Sequence, residues 1–304
     1  MREDVLPRDE TLNANDPYVR RAQTFPKLTD EQVERLKPFG TLEKLAKNAE
    51  MFAYGDRSVD FFVMLHGDCE IIEHRRDGDQ VITVHKQHEF TGEIDLFNDR
   101  QILVSGRMAC DGEVLRVKRV DFRRMMTAEP DIAEIIIRAF ILRRVGLISH
   151  KQGSVTLLYG KPSADAMRIE RFLRRNGYPV EVLKCDENEA ECKALIERYA
   201  LDEQEELPAV LIHLGEQVLK KPTNYELAAA LGLQETLEPE HIYDVVIVGG
   251  GPAGLSAATY AASEGLDTLL LEQEAPGGQA STSSKIENYL VVLSQQVVHS
   301  DLNV

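Results

Sequence analysis

Between about residues 50 and 120, apolar and β-branched positions come in short runs separated by turn residues: FFVMLHG, DCEIIEHRRDGDQVITVHK and EVLRVKR. That pattern predicts strands, and Asp77-Gly78 predicts a hairpin between two of them. The segment reads as a small antiparallel barrel or jelly roll. Ahead of it, residues 1–24 are polar and read as a flexible arm, and KLTDEQVERLKPFG reads as a helix with Thr29 as N-cap, ended by Pro38 and Gly40. After it, VDFRRMMTAEPDIAEIIIRAFILRRVGLI reads as helix. Ile132, Ile135, Ile136 and Ala139 fall on one face, fit to close the barrel or to pair with a second copy in a homodimer. The arginines of RRMM and ILRRVG read as solvated helix faces.

The pattern then changes. VTLLYG, PVEVLKC, PAVLIHLG and QVLKKP have strand character, while SADAMRIERFLRRNG, NEAECKALIERYA and NYELAAALG have helical spacing. The order βαβαββα predicts a compact α/β domain over 154–233. LQETLEPEH is an acidic linker, 234–241, and a third unit opens at Ile242 with a buried strand, a glycine-rich turn and an Ala-rich helix. The expected organisation is an arm (1–24), a barrel with its C-terminal helix (25–150), an α/β domain (154–233), the linker, and a nucleotide-binding unit (242–304). No internal repeat is visible.

Composition narrows the classes. The net charge is -16 and the sequence pI about 5.0, so the chain repels phosphate backbones and nucleic acid is not an expected partner. No apolar run approaches the ~20 residues that span a bilayer, and MREDVLPRDETLNANDP holds no apolar signal core, so the expectation is a cytoplasmic protein without a membrane partner. Cys69, Cys110, Cys185 and Cys192 form no C-x-x-C pair and read as reduced thiols, with a structural role favoured over redox chemistry for Cys185 and Cys192. His66, His74, His85 and His88 cluster near the barrel, but their spacing follows strand faces rather than a metal-ligand set.

The candidate chemistry begins at DVVIVGGGPAGLSAATYAASEG. Gly249, Gly251 and Gly254 fill G-x-G-x-x-G: the first for the tight turn, the second for approach of a pyrophosphate, the third for close helix–strand packing. Pro252 and Ala253 complete the turn, and free N–H groups at the helix start face the phosphates. DTLLLE is the second strand, and its Glu272 falls about twenty residues after the turn, where a carboxylate accepts both ribose hydroxyls and repels a 2′-phosphate. EAPGGQASTSSKIENYL follows, and residues 243–290 together resemble thioredoxin reductases. The resemblance implies FAD as cofactor, with Gly278, Gln279 and Asn288 joining Glu272 and the glycine turn in holding it. After Leu290 the sequence VVLSQQVVHSDLNV departs from that family, whose NADPH domain and redox C-x-x-C would follow. The expectation is a chain cut short within its FAD domain, inactive by itself as a disulfide reductase, holding little flavin, and with no nameable catalytic residue; NADPH is expected only for a full-length relative.

Two further resemblances complete the picture. Residues 154–233 look like a glutaredoxin/thioredoxin-type domain, with Ser163 in place of its usual thiol and Pro208 as the cis-proline candidate. FFVMLHGDCEIIE followed by EFTGEIDLF resembles the cyclic-nucleotide-binding domain, with Gly92 and Glu93 as its Gly-Glu pair. In that family the Glu binds the ribose and a following Arg pairs with the phosphate. Here Arg100 comes early and Arg107 late, with apolar residues between, so an altered pocket for a nucleotide or another small ligand is expected. The fold class expected is multidomain α+β and α/β: a β jelly-roll barrel, a thioredoxin-like domain and the start of a Rossmann-like FAD-binding domain. The order resembles thioredoxin reductases fused to an N-terminal cyclic-nucleotide-binding-type domain, which implies electron flow from NADPH through FAD to a disulfide and on to thioredoxin or a similar partner. The alternative is a non-catalytic sensor or binding module whose flavin segment is a remnant. A transcription factor is disfavoured, because no basic recognition helix follows the barrel.

Overall fold

A computed structural model describes residues 16–278 apart from 93–95, 97–99, 154, 235–236 and 238–239. Glu93, Gln279 and Asn288 lie outside the described residues. Two compact units emerge, one of Met1–Leu96 with Gln101–Gly153, the other of Phe97–Arg100 with Ser154–Val304.

In the first unit, α1 (Arg21–Thr24) and α2 (Asp30–Leu36) precede the strands β1 (Thr41–Leu45), β2 (Glu50–Phe52), β3 (Phe61–His66), β4 (Cys69–Arg75), β5 (Gly78–His85), β6 (Ser105–Met108) and β7 (Gly112–Val117). They form two antiparallel sheets, ordered β1-β7-β3 and β2-β6-β4-β5. Thr29 caps α2 in a capping box with Gln32, as its position ahead of the apolar spacing predicts. The hairpin between β4 and β5 pairs Arg75 with Gly78, which places the turn at Arg76-Asp77, one residue ahead of the expected dipeptide. Gly78, at φ 126, opens the second strand instead.

The long C-terminal helix predicted from sequence is two helices, α3 (Arg119–Ala128) and α4 (Pro130–Ser149). Pro130 at the N1 position of α4 removes an N–H that the preceding helix would need, so the break falls there. Ile132, Ile136, Ala139 and Phe140 of α4 are fully buried, and Phe140 meets Phe61, Phe90 and Phe122 at ring distances of 6.2–6.4 Å. The apolar face therefore closes the barrel. Arg143 and Arg144, expected on a solvated face, are buried, whereas Arg123 and Arg124 of α3 are exposed. The arm is corrected too: from Asp16 it packs, with Tyr18 and Thr24 buried and the Tyr18 hydroxyl donating to Gln152 Oε1 at 2.7 Å.

The second unit follows the predicted order: β8 (Val155–Tyr159), α5 (Ala164–Arg175), β9 (Val180–Lys184), α6 (Glu189–Arg198), β10 (Ala209–Ile212), β11 (Gln217–Lys220) and α7 (Asn224–Leu231). The sheet order is β11-β10-β8-β9, with β8 and β9 parallel and the others antiparallel. All five residues of β8 are buried because it is an inner strand. The Leu207–Pro208 peptide is cis. The unit ends in β12 (Val245–Val248), α8 (Pro252–Ser263) and β13 (Thr268–Leu271), with β12 and β13 paired in parallel. Leu255 and Ala258 of α8 cover Leu270 and Ile247. The strand β12 is not buried on both faces as expected: Val246 is 53% and Val248 83% exposed, because among the described residues only one strand and one helix cover it.

A titration follows from the barrel core. His85 is fully buried on β5, with Nδ1 3.5 Å from Glu89 Oε2. Burial pushes its pKa down from 6.5 to about 4, against the opposing pull of Glu89. The unfolded chain thus binds more protons than the folded one across that interval, so His85 costs stability as pH falls from about 6.5 to about 4, by up to ~3 kcal/mol. Hydrogen exchange of the β4 and β5 amides at pH 7, 5.5 and 4.5 should show that loss in the wild type and a flatter profile in His85→Gln. The same slope in both would contradict it.

Candidate functional site

Two places concentrate the sequence-predicted residues. The first is a cavity in the barrel of about 50 Å³, lined by apolar side chains of β2, β4 and β5, by loop residues, and by Tyr18, Phe25 and Leu147. Its polar points are Thr83, His85 and Arg143. Gly92 also lines it, at φ 104, and a Cβ there would stand 2.3 Å from Leu96 Cδ1 and 2.9 Å from Phe140 Cζ. Only glycine fits that close turn. The Gly92 carbonyl is taken up within the unit, accepting from Arg143 Nη1 at 2.8 Å.

Neither arginine weighed for a phosphate lines the cavity. Arg107 donates from Nε and Nη2 to Glu70 Oε2 at 3.1 and 3.0 Å. Arg100 is buried and belongs to the second unit, where its Nη1 donates to Asn176 O at 2.8 Å. The cation that does face the cavity is Arg143, which the sequence reading placed on a solvated face; nothing in an isolated RR pair marks which member turns inward. Small-molecule pockets occupy roughly 300–1,000 Å³, whereas this cavity measures about 50 Å³.

The second place is the turn between β12 and α8. Gly249 has φ 102, a backbone state that glycine adopts without strain, and its N–H donates to Leu271 O at 2.8 Å. Gly251 is the N-cap of α8, and Pro252 occupies the first helical position, where its missing N–H costs nothing. Ala253 continues the first turn. A Cβ on Gly251 would meet no atom within 4 Å among the described residues. A Cβ on Gly254 would lie 1.9 Å from Gly249 O, so that glycine is required by helix–strand packing.

Glu272, just past β13, reaches back across the turn. Its Oε2 accepts from Gly250 N at 2.6 Å, and its Oε1 accepts from Gln273 N and Glu274 N, both at 2.9 Å. Gly278 comes over the same turn, where a Cβ would stand 3.1 Å from Gly251 Cα. Two residues missed in the sequence hold that segment. Arg175 of α5 donates to Gly278 O at 2.7 Å and to Glu274 Oε2 at 2.6 Å, and Arg171 donates to Glu274 Oε1 at 2.8 Å. For Arg175 the basic last turn of α5 was the one sequence signal, and it is shared by many ordinary helices.

A donor-lined helix start beside a carboxylate fits a pyrophosphate with an adjacent ribose. The site residues Gln279 and Asn288 lie outside the described residues, so the fit rests on the glycine turn, Glu272 and Gly278. Among the described residues no group of His, Cys, Asp and Glu is placed to hold a metal ion, and no helix is long and apolar enough to cross a membrane.

Comparison with known proteins finds matches to two segments of the chain. Residues 42–129 match the cyclic nucleotide-binding domain family, and residues 244–296 match the FAD dependent oxidoreductase family. A thioredoxin reductase of Ureaplasma parvum serovar 3 is 47% identical over 55 residues, 18% of this chain and 18% of the relative. One from Listeria monocytogenes serovar 1/2a is 52% identical over 50 residues, 16% of each. The chain thus spans less than a fifth of the length of these curated relatives. The N-terminal domain of a transcriptional regulator from Streptomyces coelicolor A3(2) is 25% identical, with a TM-score of 0.33, covering 41% of this chain and 88% of that one. The chain therefore contains a cyclic nucleotide-binding domain and an FAD-dependent oxidoreductase region, the latter similar to thioredoxin reductases.

The glycines of the turn have separable roles. Gly254→Ala should lower the melting temperature, because the new methyl collides with backbone and α8 must move off β12. Gly251→Val should leave it within about 1 °C, since a Cβ there meets no described atom within 4 Å. Thermal unfolding followed by circular dichroism checks both, and the reverse order would contradict this account of the turn.

Proposed function

We propose that the third segment is the adenosine-diphosphate half of the FAD site of a thioredoxin-disulfide reductase-like flavoprotein, and that the barrel is its regulatory unit. Such an enzyme passes electrons from NADPH through FAD to a disulfide and on to thioredoxin or a similar redox protein. The observation that carries the reading is the pairing of Glu272 with the glycine turn: the carboxylate is fixed by three backbone N–H groups at the edge of the helix start. Gly249, Gly251, Pro252, Ala253 and Gly254 would hold the pyrophosphate, Glu272 the adenosine ribose, and Gly278, Gln279 and Asn288 the remaining wall. FAD itself would supply two-electron transfer; the described residues bind and orient it.

The middle of the second unit is read as thioredoxin-like. A parallel β8–β9 pair flanked by the antiparallel β10 and β11, with cis Pro208 ahead of β10, supports that reading. Ser163 is the N-cap of α5, its Oγ accepting from Ala166 N at 3.1 Å, and so performs a capping role where that fold commonly carries a nucleophilic thiol. Within this proposal the domain serves docking or spacing. The barrel retains the Gly92 turn and departs from the family at the phosphate partner, so its ligand, a nucleotide or another small molecule, enters only with rearrangement of Tyr18, Phe25 or Arg143.

The test uses the turn alone. ADP should bind the 304-residue chain at least about tenfold more tightly than adenosine 2′,5′-bisphosphate, because Glu272 repels a 2′-phosphate. Gly251→Val should abolish ADP binding, and Glu272→Ala should weaken it and erase the preference. Calorimetric titration showing no preference in the wild type, or ADP binding unchanged in Gly251→Val, would overturn the reading.

A further inference from the structure

The middle of the second unit carries two thiols that the flavin reading does not use. Cys185 directly follows β9, with its N–H donating to Tyr159 O at 3.0 Å; Cys192 lies in α6, its N–H donating to Asn188 O at 3.0 Å. Both are free thiols. Cys192 is buried among Leu158, Leu183, Leu195 and Leu207, and Cys185 packs partly exposed against the same cluster. Both open on one cleft of about 1520 Å³, which Ser163 and Pro208 also line.

We propose that Cys185 and Cys192 form a reversible dithiol–disulfide couple that exchanges with the disulfide of a small thiol or of a protein. Both thiols belong to one apolar cluster and line one cleft, at the end of β9 and in the helix that follows it. They sit on neighbouring elements of one sheet-and-helix layer, and the loop between them is short, so the entropic gain from linking them is modest and the bond stays reversible. Cys185 is the accessible partner and Cys192 the resolving one.

The exchange balances in two steps. Cys185 Sγ attacks one sulfur of RS–SR, the S–S bond breaks, and RSH leaves with one proton, giving a Cys185–SR mixed disulfide. Cys192 Sγ then attacks Cys185 Sγ, forming the internal bond and releasing the second RSH with the second proton. Two electrons pass from the protein dithiol to the substrate disulfide. Burial and the carboxylates Glu203 and Asp186 raise the Cys185 thiol above its ordinary value, and burial with the Cys185 contact pushes Cys192 up to about 12. Exchange at neutral pH is therefore slow, which suits a stored redox state better than a turnover centre.

The test does not depend on flavin. The full chain is equilibrated with mixtures of glutathione and glutathione disulfide, quenched with N-ethylmaleimide, digested and read by mass spectrometry. The oxidising end of the series should give a Cys185–Cys192 linked peptide pair in most of the protein, reversed by dithiothreitol. Cys192→Ser should instead leave Cys185 as a glutathione mixed disulfide. Both cysteines alkylated as free thiols throughout the series, or linked mainly to Cys69 or Cys110, would overturn the proposal; the wild-type readout decides the matter even where the variant fails to fold.

Discussion

The guanidinium of Arg143 is the fixed point of the first unit. It projects from α4 into the barrel, donating to Thr24 O at 2.9 Å, Phe90 O at 3.0 Å and Gly92 O at 2.8 Å. It also lies over the rings of Phe25, Phe90 and Phe140 at 4.8–5.9 Å. A buried cation is costly unless its donors are met and its charge lies in a favourable field. The helix, the arm and the Gly92 turn are therefore held in mutual register by one side chain. That constraint explains why α4 closes the barrel, why residues from Tyr18 onward pack, and why the remaining cavity is about 50 Å³. The low pKa of His85 comes first from its burial, to which the nearby Arg143 charge adds.

In the second unit the organising contact is Glu272. A carboxylate that accepts three backbone N–H groups is held without freedom to swing away. It ties the end of β13 to the turn before α8, and Arg175 ties the segment after it to α5. The turn is thus presented on a braced platform, although β12 has one bare face among the described residues.

Much of this was legible in the sequence for physical reasons. Period-two runs bounded by turn residues gave the barrel strands, and the three glycines with Glu272 located the turn because each spacing follows from backbone geometry. The βαβαββα order was readable because strand-like runs alternate with helical spacing, and Gly177 ends the first helix. What escaped were facts settled by tertiary contact. The inward turn of Arg143 depends on carbonyls brought from residues distant in the chain, and the packing of Tyr18 depends on Gln152. The helix break at Pro130 was locally visible, but a continuous apolar face on both sides obscured it. The exposed face of β12 could not be read from VVIV, which looks the same whether one or two layers cover it.

Arg143 holds the wall of the barrel's cavity, and neither Arg100 nor Arg107 is among its lining residues. Losing a bidentate, charge-assisted phosphate contact costs on the order of 2–3 kcal/mol, some tens- to hundredfold in affinity, before any displacement of Tyr18 or Phe25 is counted. Isothermal titration of the full chain with cyclic AMP and cyclic GMP tests this most directly. The account predicts only weak binding, with no saturation at micromolar ligand. Sub-micromolar, stoichiometric binding of either nucleotide would contradict it.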